Sequence, residues 1–261
     1  MLVNANHPEA FDTALNSAAD QIVLDIEDAV DGSVKDSARK HVARWLHANS
    51  AWVRINDRTS AFWSDDVDRL RGLPGLQGVM LAKVEDGSQV TETFDRLGGS
   101  TPVTALVESA VGIEEASTIA RARGTFRLAF GSGDYRRDTG ASAHDSAMSY
   151  PRNKLVVASR IGNLPGPIDG PTITDNQSKL EEQSLLAVAL GMTGKLCVGP
   201  EHLSSINRCM SPTESDLLWA AEFLSEFESR GSIVRDGSDL PRLGRARAIT
   251  EHARGLGILP V

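Results

Sequence analysis

Thr104-Ala105-Leu106-Val107-Glu108-Ser109-Ala110-Val111-Gly112 and Leu128-Ala129-Phe130-Gly131-Ser132-Gly133-Asp134-Tyr135 are two apolar runs of strand length, each halted by a carboxylate and glycine. Such runs are characteristic of buried parallel strands. Each delivers one acidic side chain to a strand's carboxyl end, where α/β proteins place their chemistry. Two such carboxylates can share one metal ion.

The pattern repeats on either side. Residues 2–4, 21–26, 52–56 and 78–83 are earlier strand signals, and residues 194–198 are a later one. Residues 165–171 supply only a short strand, because their prolines remove ladder donors. Helical spacing over 34–48, 62–70, 89–97, 113–123, 150–161 and 180–190 alternates with these strands. Eight strand signals in 261 residues predict a (β/α)8 barrel, a TIM barrel, over residues 1–211. Residues 212–261 are surplus to that ring. They read as a C-terminal helical extension with a lid, part of the same domain, with helices over 217–227 and 243–256. A segment of this kind caps its own barrel or a neighbour's, and the sequence does not choose between them.

A formal charge of -8 and a pI near 5.3 speak against nucleic acid or an anionic membrane as partner. The longest apolar runs fall far short of the roughly 20 residues needed to span a bilayer. Cys197 and Cys209 stand in no metal or redox spacing, and the N-terminus lacks a signal-peptide pattern, so a reduced, cytoplasmic setting is expected. The histidines show no metal spacing either.

Glu108 and Asp134, unaccompanied by His or Cys, make a hard-oxygen donor set suited to Mg2+, or Mn2+, rather than zinc. Such an ion polarises a carbonyl or steadies a developing oxyanion, and Arg54 adds a fixed positive charge. Together they suggest carbanion or enolate chemistry on an oxygen-rich acid. An isolated strand-end carboxylate is more often a helix cap or a surface charge. The Glu27-Asp28 pair at a third strand end shifts the balance toward a site. Arg54 sits inside an apolar strand and needs an anionic partner. An ion pair with Glu27 or Asp28 is compatible with a substrate role. Lys83 is expected to pair structurally with one of these carboxylates. Arg136, Arg137, Arg152 and Lys154 make the sixth loop region basic, which reads equally as a grip for a phosphorylated ligand or as a solvated face.

Six stretches in order resemble the citrate lyase β-subunit-like branch of the HpcH/HpaI aldolase family. They are Leu24-Asp25-Ile26-Glu27-Asp28-Ala29-Val30, Val53-Arg54-Ile55-Asn56, Ala105-Leu106-Val107-Glu108-Ser109-Ala110, Phe130-Gly131-Ser132-Gly133-Asp134-Tyr135, Pro167-Ile168-Asp169-Gly170-Pro171 and Gly194-Lys195-Leu196-Cys197-Val198-Gly199-Pro200. The resemblance implies a Mg2+-dependent barrel enzyme that cleaves, or forms in reverse, a carbon–carbon bond of a 3-hydroxyacyl-CoA such as malyl-, citramalyl- or citryl-CoA. By position, Glu108 and Asp134 look like its metal ligands, Arg54 like the residue gripping the keto-acid oxygens, and Glu27 and Asp28 like partners of metal-bound water. Asp236-Gly237-Ser238-Asp239-Leu240-Pro241 resembles the family's C-terminal lid. Asp239 would then exchange a proton with the acetyl-CoA methyl carbon in a neighbouring subunit's site, and the family is typically a homotrimer or a dimer of trimers. Arg136, Arg152 and Lys154 are the candidates for holding CoA.

The chain departs from the family pattern at His7 and Ala10, where arginines are usual around Pro8, and at Gly199, where histidine is common. Its lid is also about two residues short. These departures bear on acyl-chain or CoA recognition and leave the metal centre intact. They motivate a second reading, a metal-dependent aldolase on a free hydroxy-keto acid. A third is a non-catalytic binding or assembly subunit, against which the retained cluster of like charges counts.

Overall fold

The computed structural model describes residues 1–259 and contains eight parallel strands in sequence order. They are β1 (Leu2–Asn4), β2 (Val23–Asp25), β3 (Ala51–Ile55), β4 (Leu76–Leu81), β5 (Val103–Val107), β6 (Thr125–Phe130), β7 (Ile168–Asp169) and β8 (Gly194–Lys195). Past β8, the Leu2 amide donates to the Cys197 carbonyl at 2.7 Å, which brings the last strand round to the first. The chain is a (β/α)8 barrel with additional C-terminal helices.

Helices α1 (Phe11–Leu15), α2 (Lys35–Trp45), α3 (Trp63–Leu70) and α4 (Gly87–Arg96) separate the first five strands. The stretch anticipated as one helix over 113–123 is two, α5 (Ala110–Glu114) and α6 (Ala116–Arg121). After β6, α7 (Ser132–Thr139) occupies a region without apolar periodicity and ends at Gly140, whose φ of 73° suits glycine. Then come α8 (Asp145–Ile161), α9 (Gln177–Ala189) and α10 (Leu203–Met210), the last not anticipated.

Strand alternation sorts side chains between two cores. Val3, Leu24, Val53, Val79, Ala105 and Leu128 belong to the large cluster that includes the helices' apolar residues. Val23, Met80, Leu106, Ala129 and Leu196 form a separate cluster, with Trp52 and Ile168 packed on it. The second set shares the parity of Asp25 and Arg54, which are register partners on β2 and β3.

Two compact units divide the chain, Met1–Ile206 and a second beginning at Asn207. In the second, α11 (Glu214–Ser229) and α12 (Asp239–Gly255) bury Ala220, Phe223, Phe227, Leu243 and Ala246 together. Thr213 opens α11 with a reciprocal capping box to Asp216. Asp239, anticipated in an irregular lid, stands in the first turn of α12.

Candidate active site

The carboxyl ends of β2 to β6 bring together most of the anticipated residues. Arg54 grips Asp25 with two hydrogen bonds, Nε to Oδ1 at 2.8 Å and Nη2 to Oδ2 at 2.6 Å, and its Nη1 lies 3.2 Å from Glu27 Oε2. Asp25 is 2% exposed, so the forked pairing compensates a charge that burial alone would make costly. Burial pulls the Arg54 pKa down, but Asp25 and Glu27 more than offset this and leave it raised. The partner expected from the sequence was Glu27 or Asp28. Asp25, not singled out as a site residue, is the principal one.

The Glu27-Asp28 turn is fixed from two sides. Lys35 Nζ donates to the carbonyls of Ile26 and Glu27 at 2.9 and 3.0 Å, and Asn56 Nδ2 donates to Ile26 at 3.2 Å. From β4's end, the Lys83 ammonium bonds Glu27 Oε1, and lies 2.8 Å from Asp28 Oδ2. Lys83 also donates its main-chain N–H to Glu108 Oε1 at 2.9 Å.

Glu108 follows β5 and is 4% exposed, while Asp134 lies in the first turn of α7. Burial, then the charge of Asp134, pushes the Glu108 pKa up to about 8. This buried carboxyl resists ionisation beside another acid, and its surroundings offer oxygen donors without thiol or imidazole. A hard divalent cation would compensate that charge, so the donor pair fits Mg2+. Among the described residues, no three His, Cys, Asp or Glu side chains form a metal cage.

Space for Glu108 depends on Gly131. A Cβ built there would lie 2.1 Å from Glu108 Oε2 and 2.4 Å from its Cβ. Gly131→Ala should displace the carboxylate, lowering Mg2+ affinity at least tenfold in calorimetry and stability by about 1–3 kcal/mol in denaturant unfolding. Unchanged metal affinity would show that this close packing is irrelevant to the donor pair.

A family model described as HpcH/HpaI aldolase/citrate lyase matches residues 1–200, and one for the HpcH/HpaI aldolase C-terminal domain matches residues 215–257. The chain belongs to the HpcH/HpaI aldolase/citrate lyase family. A citrate lyase subunit beta-like protein of Mycobacterium tuberculosis is 31% identical, covering 95% of this chain and 93% of that one. The mitochondrial citramalyl-CoA lyase of Rattus norvegicus is 28% identical, covering 91% of this chain and 80% of that one. The solved structure of M. tuberculosis CitE in complex with magnesium, acetoacetate and coenzyme A has a TM-score of 0.80 at 26% identity, covering 97% of this chain and 96% of that chain. With relatives that are lyases by name, this HpcH/HpaI family member is a carbon–carbon lyase.

Not every anticipated residue joins the centre of this HpcH/HpaI barrel. Arg152, anticipated among the basic residues for CoA, lies on α8, 4% exposed, with Nε 2.8 Å from Asp169 Oδ1. Lys195 Nζ donates to the other oxygen of Asp169 at 2.7 Å, so Arg152 belongs to a buried ionic cluster and is not offered to a phosphate. Lys154 pairs with Glu114 at 3.0 Å, and Arg136 is an exposed residue of α7 whose Nε bonds the Ser132 carbonyl. In the second unit, Asp239 is 4% exposed, lies 3.0 Å from Arg230 Nη2 and accepts the Arg235 amide at 2.7 Å. The Arg230 bond, then the Arg235 amide, holds its pKa below the ordinary carboxylate range. No helix among the described residues is long and apolar enough to cross a membrane.

Proposed function

We propose that this chain is a Mg2+-dependent lyase of a 3-hydroxyacyl-CoA, of the malyl-, citramalyl- or citryl-CoA kind, or the synthase running the reverse Claisen-type condensation. The observation that carries this reading is the buried Glu108 beside Asp134, on the same strand ends as the Asp25-clamped Arg54. The related CitE structure is a complex with magnesium, acetoacetate and coenzyme A, which supports magnesium as the ion and a CoA ester as the substrate class.

In cleavage, the substrate's 3-hydroxyl gives its proton to the water held by Glu27 and Asp28, the adjacent carbon–carbon bond breaks, and its electron pair passes to a thioester enolate. The products are a 2-keto acid, or oxaloacetate, and an acyl-CoA. Held by Glu108 and Asp134, Mg2+ would act as a Lewis acid on the oxygens that gain charge. Arg54 holds the keto-acid oxygens, its guanidinium kept in one orientation by Asp25. Glu27 and Asp28 accept hydrogen bonds from water at the edge of the site. Asp239 returns a proton to the enolate carbon in cleavage and removes it in condensation. Asp239 acts on a neighbouring subunit's substrate in a cytoplasmic homotrimer or hexamer. Arg136 and Lys154 remain the candidates for CoA phosphates.

The test is turnover of malyl-, citramalyl- and citryl-CoA with Mg2+ and after chelation. Formation of keto acid and acyl-CoA only with Mg2+ is expected. Turnover of free hydroxy-keto acids alone would favour the aldolase without CoA, and neither binding nor turnover would favour an assembly subunit.

Metal binding should also carry a proton signature. Glu108 titrates near 8 without metal, so at pH 7 it is mostly protonated and must ionise to ligate. Mg2+ binding at pH 7 should release roughly one proton, visible by calorimetry in buffers of different ionisation heat. Affinity should rise with pH and level off above about 8. Binding without proton release would mean that Glu108 is already ionised.

A further inference from the structure

Lys83 is one of three non-glycine residues with positive φ among the described residues, at 50°. For a side chain with a Cβ this left-handed backbone is unfavourable, and it persists only where surrounding contacts over-determine it. The contacts are on three separate residues. The main-chain N–H is 2.9 Å from Glu108 Oε1, and the ammonium bonds Glu27 Oε1 and lies 2.8 Å from Asp28 Oδ2. One residue at the end of β4 thus ties the acidic turn after β2 to the carboxylate after β5, across β3 and its Arg54.

We propose that Lys83 is a positioning residue, held in a left-handed conformation that turns its amide to Glu108 and its ammonium to Glu27 and Asp28 at once. The proposal rests on the metal-dependent reading of Glu108 given above. Lys83 does not touch the reacting atoms. It sets the spacing of carboxylates that would otherwise repel one another, and the backbone strain is the means by which both arms reach. A lysine acting only as a nearby positive charge would weaken Mg2+ binding, so removing it would tighten the metal site. A lysine that positions Glu108 has the opposite sign.

Lys83→Gly separates these roles: glycine adopts φ of 50° freely and keeps an N–H, but without the ammonium tied to Glu27 and Asp28 that N–H is no longer fixed against Glu108. Its thermal midpoint should stay within a few degrees of the parent's, since relief of the left-handed strain offsets part of what the lost ion pairs contributed. Mg2+ affinity, read by calorimetry without substrate, should fall about 10-fold or more, and kcat about 10–100-fold with KM within about threefold. A small primary alkylammonium should restore part of the lost kcat, and Lys83→Arg, which keeps a cation, should lose less than Lys83→Met. Tighter Mg2+ binding, or affinity and kcat both within about threefold of the parent, overturns the proposal. So does a midpoint that falls with activity and no rescue by amine, which marks a merely structural lysine. A parent protein that binds Mg2+ but turns over no thioester defeats the functional reading alone, and the sign of the affinity change still decides for Lys83. A parent that binds no Mg2+ overturns both.

Discussion

Asp134→Ala and Glu108→Gln are each expected to abolish Mg2+-dependent turnover, by a factor on the order of 10³ or more, with the fold retained. Asp134 contributes little to folding: it pairs with the exposed Arg137 at 3.1 Å, a surface contact of small energy. Its charge opposes ionisation of Glu108, so the metal-free alanine variant should melt no lower than the parent, and Glu108 should titrate lower. Glutamine at 108 keeps an oxygen for the Lys83 amide while losing the charge. The sign with pH follows from the raised pKa. Ionisation of Glu108 is easier in the unfolded chain, so its contribution to metal-free stability is full below its ordinary value of 4.5 and is lost as pH rises through about 8. Glu108→Gln should escape that loss, gaining on the parent as pH climbs. Thermal unfolding across pH and Mg2+ titration check both variants, and unchanged turnover would remove the pair from the site.

Asp239→Ala should stop exchange of the acetyl-CoA methyl protons with solvent, by about 10²–10⁴-fold, while Mg2+ affinity stays within a factor of about two. The carboxylate is also a local anchor. Arg230 Nε and Nη1 already find no hydrogen-bond partner among the described residues, and removing Asp239 takes a carboxylate away from that half-buried cation. Asp239→Asn, which retains an acceptor for the Arg235 amide, distinguishes loss of the proton carrier from loss of local structure. Deuterium exchange followed by NMR gives the rate, and a thermal melt gives the integrity of each variant. Exchange surviving in both would assign the carbon proton to another group.

The ring of strands was legible because β4, β5 and β6 are apolar runs ended by charge, and burial of such runs leaves few alternatives to a parallel sheet. The carboxylates at their ends were legible for the same reason. Asp25 was not, because it sits inside Val23-Leu24-Asp25 and was read as part of the apolar run. Its signal is alternation: it shares the inward parity of Arg54 on the neighbouring strand, and the two are register partners. Arg152 was read by local charge, whereas Met148, Arg152, Leu155 and Ser159 recur at helical spacing on the buried face of α8. α7 escaped because a polar helix carries no apolar stripe, and Gly140 was its available end signal. The break between α5 and α6 depends on packing that one helix's periodicity does not encode.

The strands are unequal in length. β3 to β6 have five or six residues each, whereas β7 and β8 have two, and the seam to β1 is crossed by the Leu2–Cys197 hydrogen bond. Opening free energy follows the density of such pairings, so transient breathing belongs to the β7–β8–β1 arc. Arg54, Lys83, Glu108 and Asp134 all hang from the opposite arc. The barrel can loosen along its thin side and close again while the spacing of its acidic groups stays unchanged.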